Sequence, residues 1–304
     1  MATIAPGAGA GAPPSAEAPA GAEQQPAQPA RPPARDSAVL RRVGMTLSVA
    51  ALFVLGFFVY LYGLSDVSER HAQSTMYKSF VAELAQAVAP VGPTHEGAPV
   101  AVLNIPQIGL RNTVVVEGTT SRDLALGPGH VRASALPGEV GWSFIYGKRA
   151  TYGAPFRYLA GLRIGDRFTV ATGQGVSTYV VHSFGTSRYP AIDSSANRLV
   201  LMTANSANIP TEAVQVSADL ISTPQANPGT WPSITAQELY LASDTGSLVA
   251  LFLWSEALLV TVIVATIAAH RWSRWPTYLL AAPVVIAVTL SVYQNMAALL
   301  PNLY

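Results

Sequence analysis

The chain has 304 residues, half of them hydrophobic, with 12% charged residues and a formal net charge of +1. So small a charge, with no basic face, argues against nucleic-acid binding. The chain contains no cysteine, which excludes disulfides, thiolate metal sites and cysteine nucleophiles.

Residues 1–36 are dominated by Ala, Pro, Gly and Gln and contain almost no large apolar side chains. Such a segment cannot bury enough surface to offset the entropy of ordering it. We therefore predict a disordered cytoplasmic tail. A Pro-rich docking ligand is the alternative for this segment.

Three apolar runs are long enough to cross a bilayer. The first, residues 43–64, is about 22 residues long and at about 1.5 Å per residue reaches roughly 33 Å. We expect a retained anchor, because a cleavable signal peptide has a shorter apolar region. Residues 247–269 and 277–300 form two further predicted spans, joined by a short loop.

Arginines predict the orientation of these spans. They precede the first span and lie in the loop between the last two: Arg31, Arg35, Arg41, Arg42, Arg271 and Arg274. Positive residues favour the cytoplasmic side, so the N-terminus is predicted to be cytoplasmic and the domain between the first two spans extracytoplasmic. The C-terminal residues 301–304 are then extracytoplasmic as well, in a multi-pass protein of the cell membrane.

After the first span, residues 65–97 are predicted to form a membrane-proximal helix and a linker. Met76, Phe80 and Leu84 recur at helical spacing, and the helix stops at Pro90.

Short β-rich runs separated by Gly, Pro and Asp fill residues 98–221 and predict a mainly β domain, a closed barrel or a sandwich. The predicted strands are Val100–Asn104, Thr113–Glu117, Ser143–Tyr146, Arg167–Ala171, Val176–Phe184, Arg198–Thr203 and Ala213–Leu220. Residues 222–246 are predicted to be a linker.

Six segments of this domain, in the correct order, resemble motifs of the sortase family, the cysteine transpeptidases of Gram-positive cell surfaces. They are Ile105–Leu110, Leu124–His130, Leu136–Gly141, Ser143–Leu159, Gly161–Asp166 and Arg198–Asn205. The pattern is most similar to class E sortases. The resemblance implies an eight-stranded β-barrel over residues 98–221.

The resemblance also assigns the reactive positions, and none carries the family's residue. Lys148 stands at the histidine position, Ala204 at the cysteine position and Ala213 at the arginine position. A sortase needs a thiolate to attack the peptide, a histidine to protonate the leaving amine and an arginine to stabilise the oxyanion. We therefore predict a naturally degenerate, non-catalytic sortase-like protein.

The groove that remains is predicted to include Tyr146, Lys148, Arg149, Ala204 and Asn205. An extended peptide or an anionic envelope polymer is the expected ligand. The alternative for Lys148 and Arg149 is a solvated pair at the end of a strand.

An enzymatic alternative uses Lys148 to activate a hydroxyl nucleophile from Thr203 or Ser206. Thr203 should face away from the groove if Ala204 faces into it, because side chains alternate along a strand. His130 and His182 are expected to be structural. No metal site and no cofactor is predicted, because the chain offers no set of ligands at metal-binding spacing.

Glu256 is predicted to lie about 13 Å inside the second span, where a carboxylate is costly. It either has a function or joins helices by a hydrogen bond, with Thr289 or Ser291 as partners in the last span.

Together these features predict a scaffold or binding subunit of a cell-envelope assembly, with a membrane protein partner bound through the second and third spans. A diverged hydrolase or transpeptidase, and an accessory subunit of a transporter or envelope-biosynthesis complex, are the alternatives.

Overall fold

The computed structural model describes residues 34–92, 94–190, 197–207, 209–227, 229, 232–271 and 274–304. The predicted disordered tail, residues 1–36, lies outside the described residues except for its last three, which belong to a helix. The part of the chain up to Ala50 contributes only the beginning of that helix, and the compact unit Ala51–Tyr304 holds everything else.

Four α-helices flank the β domain in the sequence. Helix α1, Ala34–Val59, passes through a π-helical segment, Tyr60–Leu64, into helix α2, Ser65–Ala85. Helices α3, Ser247–Arg271, and α4, Arg274–Ala298, follow the β domain.

Among the described residues, three helical stretches are long and apolar enough to span a membrane, as predicted. They are Val39–Ala85, Ser247–Arg271 and Leu279–Ala298. Most of their large apolar side chains are exposed, which is the surface that a lipid environment would cover. The domain boundaries given above remain predictions.

Eight strands close into a barrel, which confirms the fold predicted from the sequence. They are β1 Pro99–Ile105, β2 Leu110–Glu117, β3 Gly129–His130, β4 Trp142–Tyr146, β5 Arg167–Thr172, β6 Gly175–Thr186, β7 Arg198–Ala204 and β8 Ala213–Leu220. Around the barrel the order is β1-β2-β3-β4-β7-β8-β6-β5. The two-residue strand β3 was not among the predicted strands.

Strand β7 lies at the centre of the architecture, because all seven of its residues are buried. Leu199 and Leu201 belong to the main core cluster, whereas Val200, Met202 and Ala204 belong to a second cluster. Side chains alternate between the faces of a strand, so the two clusters lie on opposite faces of β7. The second cluster is the one that contains the predicted groove.

Helix α2 packs on the outside of β1 and β2. The ring of Phe80 is fully buried against Val102 and Val114, as its place in the amphipathic pattern predicted. Gln73 also bonds the backbone of Val114 through both its oxygen and its nitrogen, at 2.8 and 3.0 Å. These contacts attach the membrane-proximal helix to the barrel.

Candidate functional site

The site begins where β4 ends beside β7. These strands are parallel, with Tyr146 opposite Met202, and the pairing continues because the amide of Gly147 donates to the carbonyl of Met202 at 3.0 Å. A Cβ at Gly147 would come within 2.4 Å of the Phe156 ring. Glycine is therefore required here by the close approach of that ring, and it lets the chain turn towards Lys148.

Lys148 is buried, with 1% of its surface exposed. Its ammonium nitrogen lies 5.4 Å from the centroid of the Tyr152 ring, which is a cation–π arrangement. Burial disfavours the charged form and lowers the pKa of Lys148 to about 7. Thus the alternative of a solvated lysine is wrong, because the loop that carries Tyr152 folds over it.

That loop is held in place by helix α2. The amide of Tyr152 donates to the hydroxyl of Ser65 at 3.2 Å, and the amide of Gly153 donates to the carboxylate of Asp66 at 2.8 Å. Lys148 is therefore covered by a loop attached to the first residues of the membrane-proximal helix.

Ala204 and Ala213, at the positions the resemblance assigned to the nucleophile and the arginine, face each other across β7 and β8. Both side chains are fully buried and lie in one apolar cluster. The pairing of β7 with β8 thus brings the two positions together. Methyl groups at both positions supply neither a nucleophile nor a hydrogen-bond donor.

Arg149 and Asn205 bind the backbone around this pair. The guanidinium of Arg149 donates to the carbonyl of Ala204 at 3.1 Å, so this half-buried side chain is not a solvated strand-end residue. Asn205 is exposed, and its amide bonds the backbone and hydroxyl of Thr211 at 3.1 and 2.9 Å. It braces the loop between β7 and β8 and lies beyond the apolar cluster.

The cluster around Ala204 has an apolar floor and one occupant from far along the sequence. Its buried members are Leu124, Val131, Tyr146, Val200, Met202, Ala204, Ala213 and Leu303. Leu303 has no exposed surface. It belongs to residues Pro301–Tyr304, which follow α4 and which we call the post-helix segment.

The post-helix segment is also held by polar contacts to the barrel. The amide of Arg149 donates to the carbonyl of Leu303 at 3.1 Å, and the hydroxyl of Thr151 donates to a carbonyl oxygen of Tyr304 at 3.0 Å. The hydroxyl of Tyr304 lies 2.6 Å from that of Tyr62 in the π-helical segment.

On its other side the segment packs on the predicted linker. The side-chain amide of Asn302 donates to the carbonyls of Gln237 and Leu239 at 2.6 and 2.8 Å. A capping box between Thr235 and Glu238 shapes this part of the linker into a 3₁₀ turn, Ala236–Glu238. Residues that the sequence analysis treated as a connection therefore form one wall of the site.

Sequence reasoning missed the post-helix segment as a part of the site. It was predicted only to end outside the membrane. The available signal was Leu303 and Tyr304, two large apolar residues placed directly after a membrane-spanning pattern.

The hydroxyls considered as nucleophiles differ in position. Thr203 donates to the carbonyl of Gly147 at 2.8 Å and lies on the face of β7 opposite to Ala204, as strand alternation predicted. Ser206 is half-buried in the loop after β7.

The two histidines make structural contacts. His130 is fully buried, and its ring nitrogens lie 3.1 Å from a carboxylate oxygen of Glu117 and 2.9 Å from the carbonyl of Ala135. The Nδ1 atom of His182 lies 3.2 Å from a carboxylate oxygen of Asp219. In the ranges that the structure describes, no three His, Asp or Glu side chains form a group that could hold a metal ion.

Glu256 lies on the surface of α3, and its side chain is exposed. The hydroxyl of Ser291 donates to the carbonyl of Ala287 in its own helix at 3.1 Å. Within the part of the chain that the structure describes, Glu256 forms no hydrogen bond with Thr289 or Ser291, and its role stays a prediction.

Comparisons with known proteins agree on the family. The family model described as the sortase domain matches residues 103–220. The structure of sortase E from Streptomyces avermitilis is 30% identical, with 42% of this chain and 91% of that chain covered and a TM-score of 0.38. No match was found among curated proteins.

Two more distant structures match over similar lengths. The SrtF sortase from Corynebacterium diphtheriae is 25% identical, covering 49% of this chain and 96% of its own, with a TM-score of 0.40. A sortase D5 transpeptidase from Clostridium perfringens is 21% identical, with 50% of this chain and 99% of that chain covered and a TM-score of 0.43. The family model thus identifies a sortase domain over residues 103–220, which is the barrel described above.

Proposed function

We propose that this protein is a non-catalytic, class E-like member of the sortase family that acts as a binding or scaffold subunit of a cell-envelope assembly. The observation that carries this proposal is the apolar pair Ala204 and Ala213, fully buried where the resemblance assigns the nucleophile and the arginine. A covalent route requires an attacking atom, and a methyl group has none.

The surroundings of the pair also support a binding role. Leu303 is buried in the same apolar cluster as Ala204, and the Arg149 guanidinium donates to the Ala204 carbonyl. An apolar pocket bordered by backbone donors can hold an extended polypeptide without reacting with it.

The enzymatic alternative rests on Lys148. Burial lowers the pKa of Lys148 to about 7, towards the neutral form of the amine that a general base requires. Against this, the Thr203 hydroxyl already donates to Gly147, and the lysine nitrogen faces the Tyr152 ring. The geometry therefore favours binding over hydrolysis.

An assay of sorting-signal peptides tests the proposal. Purified protein in detergent should neither cleave the peptides nor transfer them to an amine above the background rate, and Lys148→Ala should behave the same. Turnover that disappears in Lys148→Ala or Ser206→Ala would overturn the non-catalytic assignment in favour of a Ser-Lys type hydrolase.

The membrane part of the proposal places the barrel outside the cell and the loop between α3 and α4 in the cytoplasm, with the helices docked on a membrane partner. It is supported by the arginine distribution and by Glu256, an exposed carboxylate within an apolar helix. The alternative, an accessory subunit of a transporter or envelope-biosynthesis complex, uses the same docking surface and makes Glu256 its functional group.

The matched variants Glu256→Gln and Glu256→Leu test the docking surface. We expect Glu256→Gln to preserve the complex recovered from solubilised membranes, because it keeps a hydrogen-bonding group, and Glu256→Leu to weaken it. Native gel electrophoresis gives the readout. Equal recovery for parent and Glu256→Leu would remove Glu256 from the interface.

A further inference from the structure

Glu256 is the only charged residue in the three predicted spans, residues 43–64, 247–269 and 277–300. Its side chain is exposed on the surface of α3. The spans contain neither lysine nor arginine, so they offer this carboxylate no ion pair. An acidic group surrounded by lipid is costly and usually meets another polar group. Glu256 therefore calls for a polar partner from a second molecule.

The face of α3 that carries Glu256 lies opposite to the face against α4. Ala265 marks the face against α4, because it lines both clefts that lie between the two helices. Glu256 precedes Ala265 by nine residues, which at about 3.6 residues per turn is two and a half turns. The two residues thus lie half a turn apart around the helix axis. Helix α4 leaves the Glu256 face of α3 uncovered.

An apolar stripe runs along this uncovered face. Val249 and Ile263 lie seven residues to either side of Glu256. Phe252 and Leu259 lie between them, so the spacing alternates between three and four residues. All four apolar side chains are exposed. This spacing forms the seam of two helices that pack side by side, and a single polar residue in such a seam fixes the register of the pair.

A second copy of the chain matches this stripe in register. Copies of one membrane protein insert with the same orientation, so two α3 helices related by a two-fold axis along the membrane normal are parallel. Identical residues then meet at the same depth, and the two Glu256 side chains face each other. Two carboxyl groups in contact share a proton, and the resulting hydrogen bond satisfies both.

We propose that α3 is a self-association surface, on which a second copy of this chain packs along residues 249–263 and the two Glu256 carboxyl groups form a hydrogen bond within the bilayer. This inference rests on the membrane part of the proposed function, because it names the molecule that covers Glu256. Helix α4 lies on the other side of α3 and stays available to an envelope partner.

The first test uses the absence of any native cysteine. Ile263→Cys places one thiol on the stripe, and Val262→Cys places one beside it at nearly the same depth. The two native side chains are similarly exposed, at 48% and 45%. After brief oxidation of membranes with copper phenanthroline, Ile263→Cys and Val249→Cys should give several-fold more disulfide-linked dimer than Val262→Cys. Equal yields at 262 and 263, or no dimer from either stripe position, would overturn the proposal.

The second test measures the role of the carboxyl group in the Ile263→Cys background. Glu256→Gln should keep the dimer yield, because two side-chain amides also form a hydrogen bond. Glu256→Leu should lower the yield several-fold, because lipid is as apolar as leucine and an apolar stripe alone gains little by pairing. An unchanged yield in Glu256→Leu would overturn the proposed hydrogen bond.

The third test identifies the linked molecule. Copies of Ile263→Cys that carry two different affinity tags should be recovered together after oxidation, and mass spectrometry of the linked product should find this chain alone. A product that contains a different membrane protein would overturn self-association and leave the docking surface of the proposed function in place. Failure of the non-catalytic assignment would instead appear as turnover of sorting-signal peptides, whatever the state of association.

Discussion

The two faces of strand β7 are equally buried but are covered in different ways. Leu199 and Leu201 point into the barrel, where the neighbouring strands surround them. Val200, Met202 and Ala204 point outward and are covered by loops and by Leu303. The inner face is sealed by the fold itself, whereas the outer face depends on a short segment from the far end of the described chain.

This difference separates stability from function along a single strand. Substitutions on the inner face should destabilise the barrel, because these side chains pack in a closed interior. The outer face is covered by a few hydrogen bonds and one leucine of the post-helix segment. Substitutions on the outer face should therefore change the groove at a smaller loss of barrel stability.

The largest expected effect comes from truncating one leucine on each face. Leu201→Ala should lower the free energy of unfolding by about 3 kcal/mol, within the range for buried leucines, because the barrel cannot collapse into the cavity. Leu303→Ala should lower the free energy of unfolding by only about 1 kcal/mol, because the post-helix segment can shift and water can fill the space left by the leucine. Denaturant unfolding in detergent, followed by circular dichroism, gives both values. Equal losses of unfolding free energy in the two variants would show that Leu303 is packed as rigidly as Leu201.

A second comparison concerns the turn into the groove. Gly147→Ala should cost about 2 kcal/mol, because its Cβ would overlap the Phe156 ring, which is packed in the core. The matched control is Gly161→Ala, since a Cβ at Gly161 meets nothing within 4 Å. The control should change stability by less than about 0.5 kcal/mol. A mild effect at Gly147 would mean that the turn relaxes more easily than its packing indicates.

The third prediction concerns the charge buried beside the groove. The pKa of Lys148 is about 7 in the folded protein, below its ordinary value of 10.5, so between these values the unfolded chain binds more protons. Lysine burial therefore destabilises most at pH 7 and below, and stability recovers as pH rises towards 10.5. Relative to Lys148→Met, the parent should gain up to about 1.4 kcal/mol per pH unit between pH 7 and 10.

Unfolding of parent and Lys148→Met at several pH values measures this slope, and other titrating groups cancel in the difference. Parallel curves for the two proteins would mean that Lys148 keeps its charge in the folded state. That result would also remove the basis of the enzymatic alternative.

The sequence predicted strand β7 and much of the barrel, because β-rich runs and turn residues are local signals. The burial of Phe80 follows from helical spacing, and β7 follows from its apolar run. Strand β3 has only two residues and is too short to show such a pattern. The family resemblance implied the closed eight-stranded barrel.

The cover of the outer face could not be predicted, since contacts between distant segments leave no periodic signal. Leu303 follows a membrane-spanning pattern and shows no sign of its partner Ala204. A solvated Lys148 was one of the two alternatives, because lysines are rarely buried. Its burial becomes clear only from the structure, where the Tyr152 ring lies beside its ammonium nitrogen. Glu256 was predicted to have a function or to join helices by a hydrogen bond, and its side chain is exposed in the structure.

The smallest predicted effect sharpens the description of the outer cover. Tyr304→Phe removes the hydroxyl 2.6 Å from that of Tyr62 and should cost about 1 kcal/mol, the usual net value of one hydrogen bond. Tyr62→Phe should cost a similar amount, and the double variant little more than either, when unfolding is compared in a double-mutant cycle. Strictly additive losses would mean that the two hydroxyls are not coupled.

The most direct test of the central claim is a turnover assay on a protein whose groove has been opened. Leu303→Asp should leave the pocket at Ala204 accessible, and the account predicts no cleavage or transfer of sorting-signal peptides above background, because the exposed site still lacks a nucleophile. Turnover by Leu303→Asp that vanishes in the double variant Leu303→Asp with Lys148→Ala would contradict it. The protein would then be a lysine-dependent enzyme held closed by its own post-helix segment.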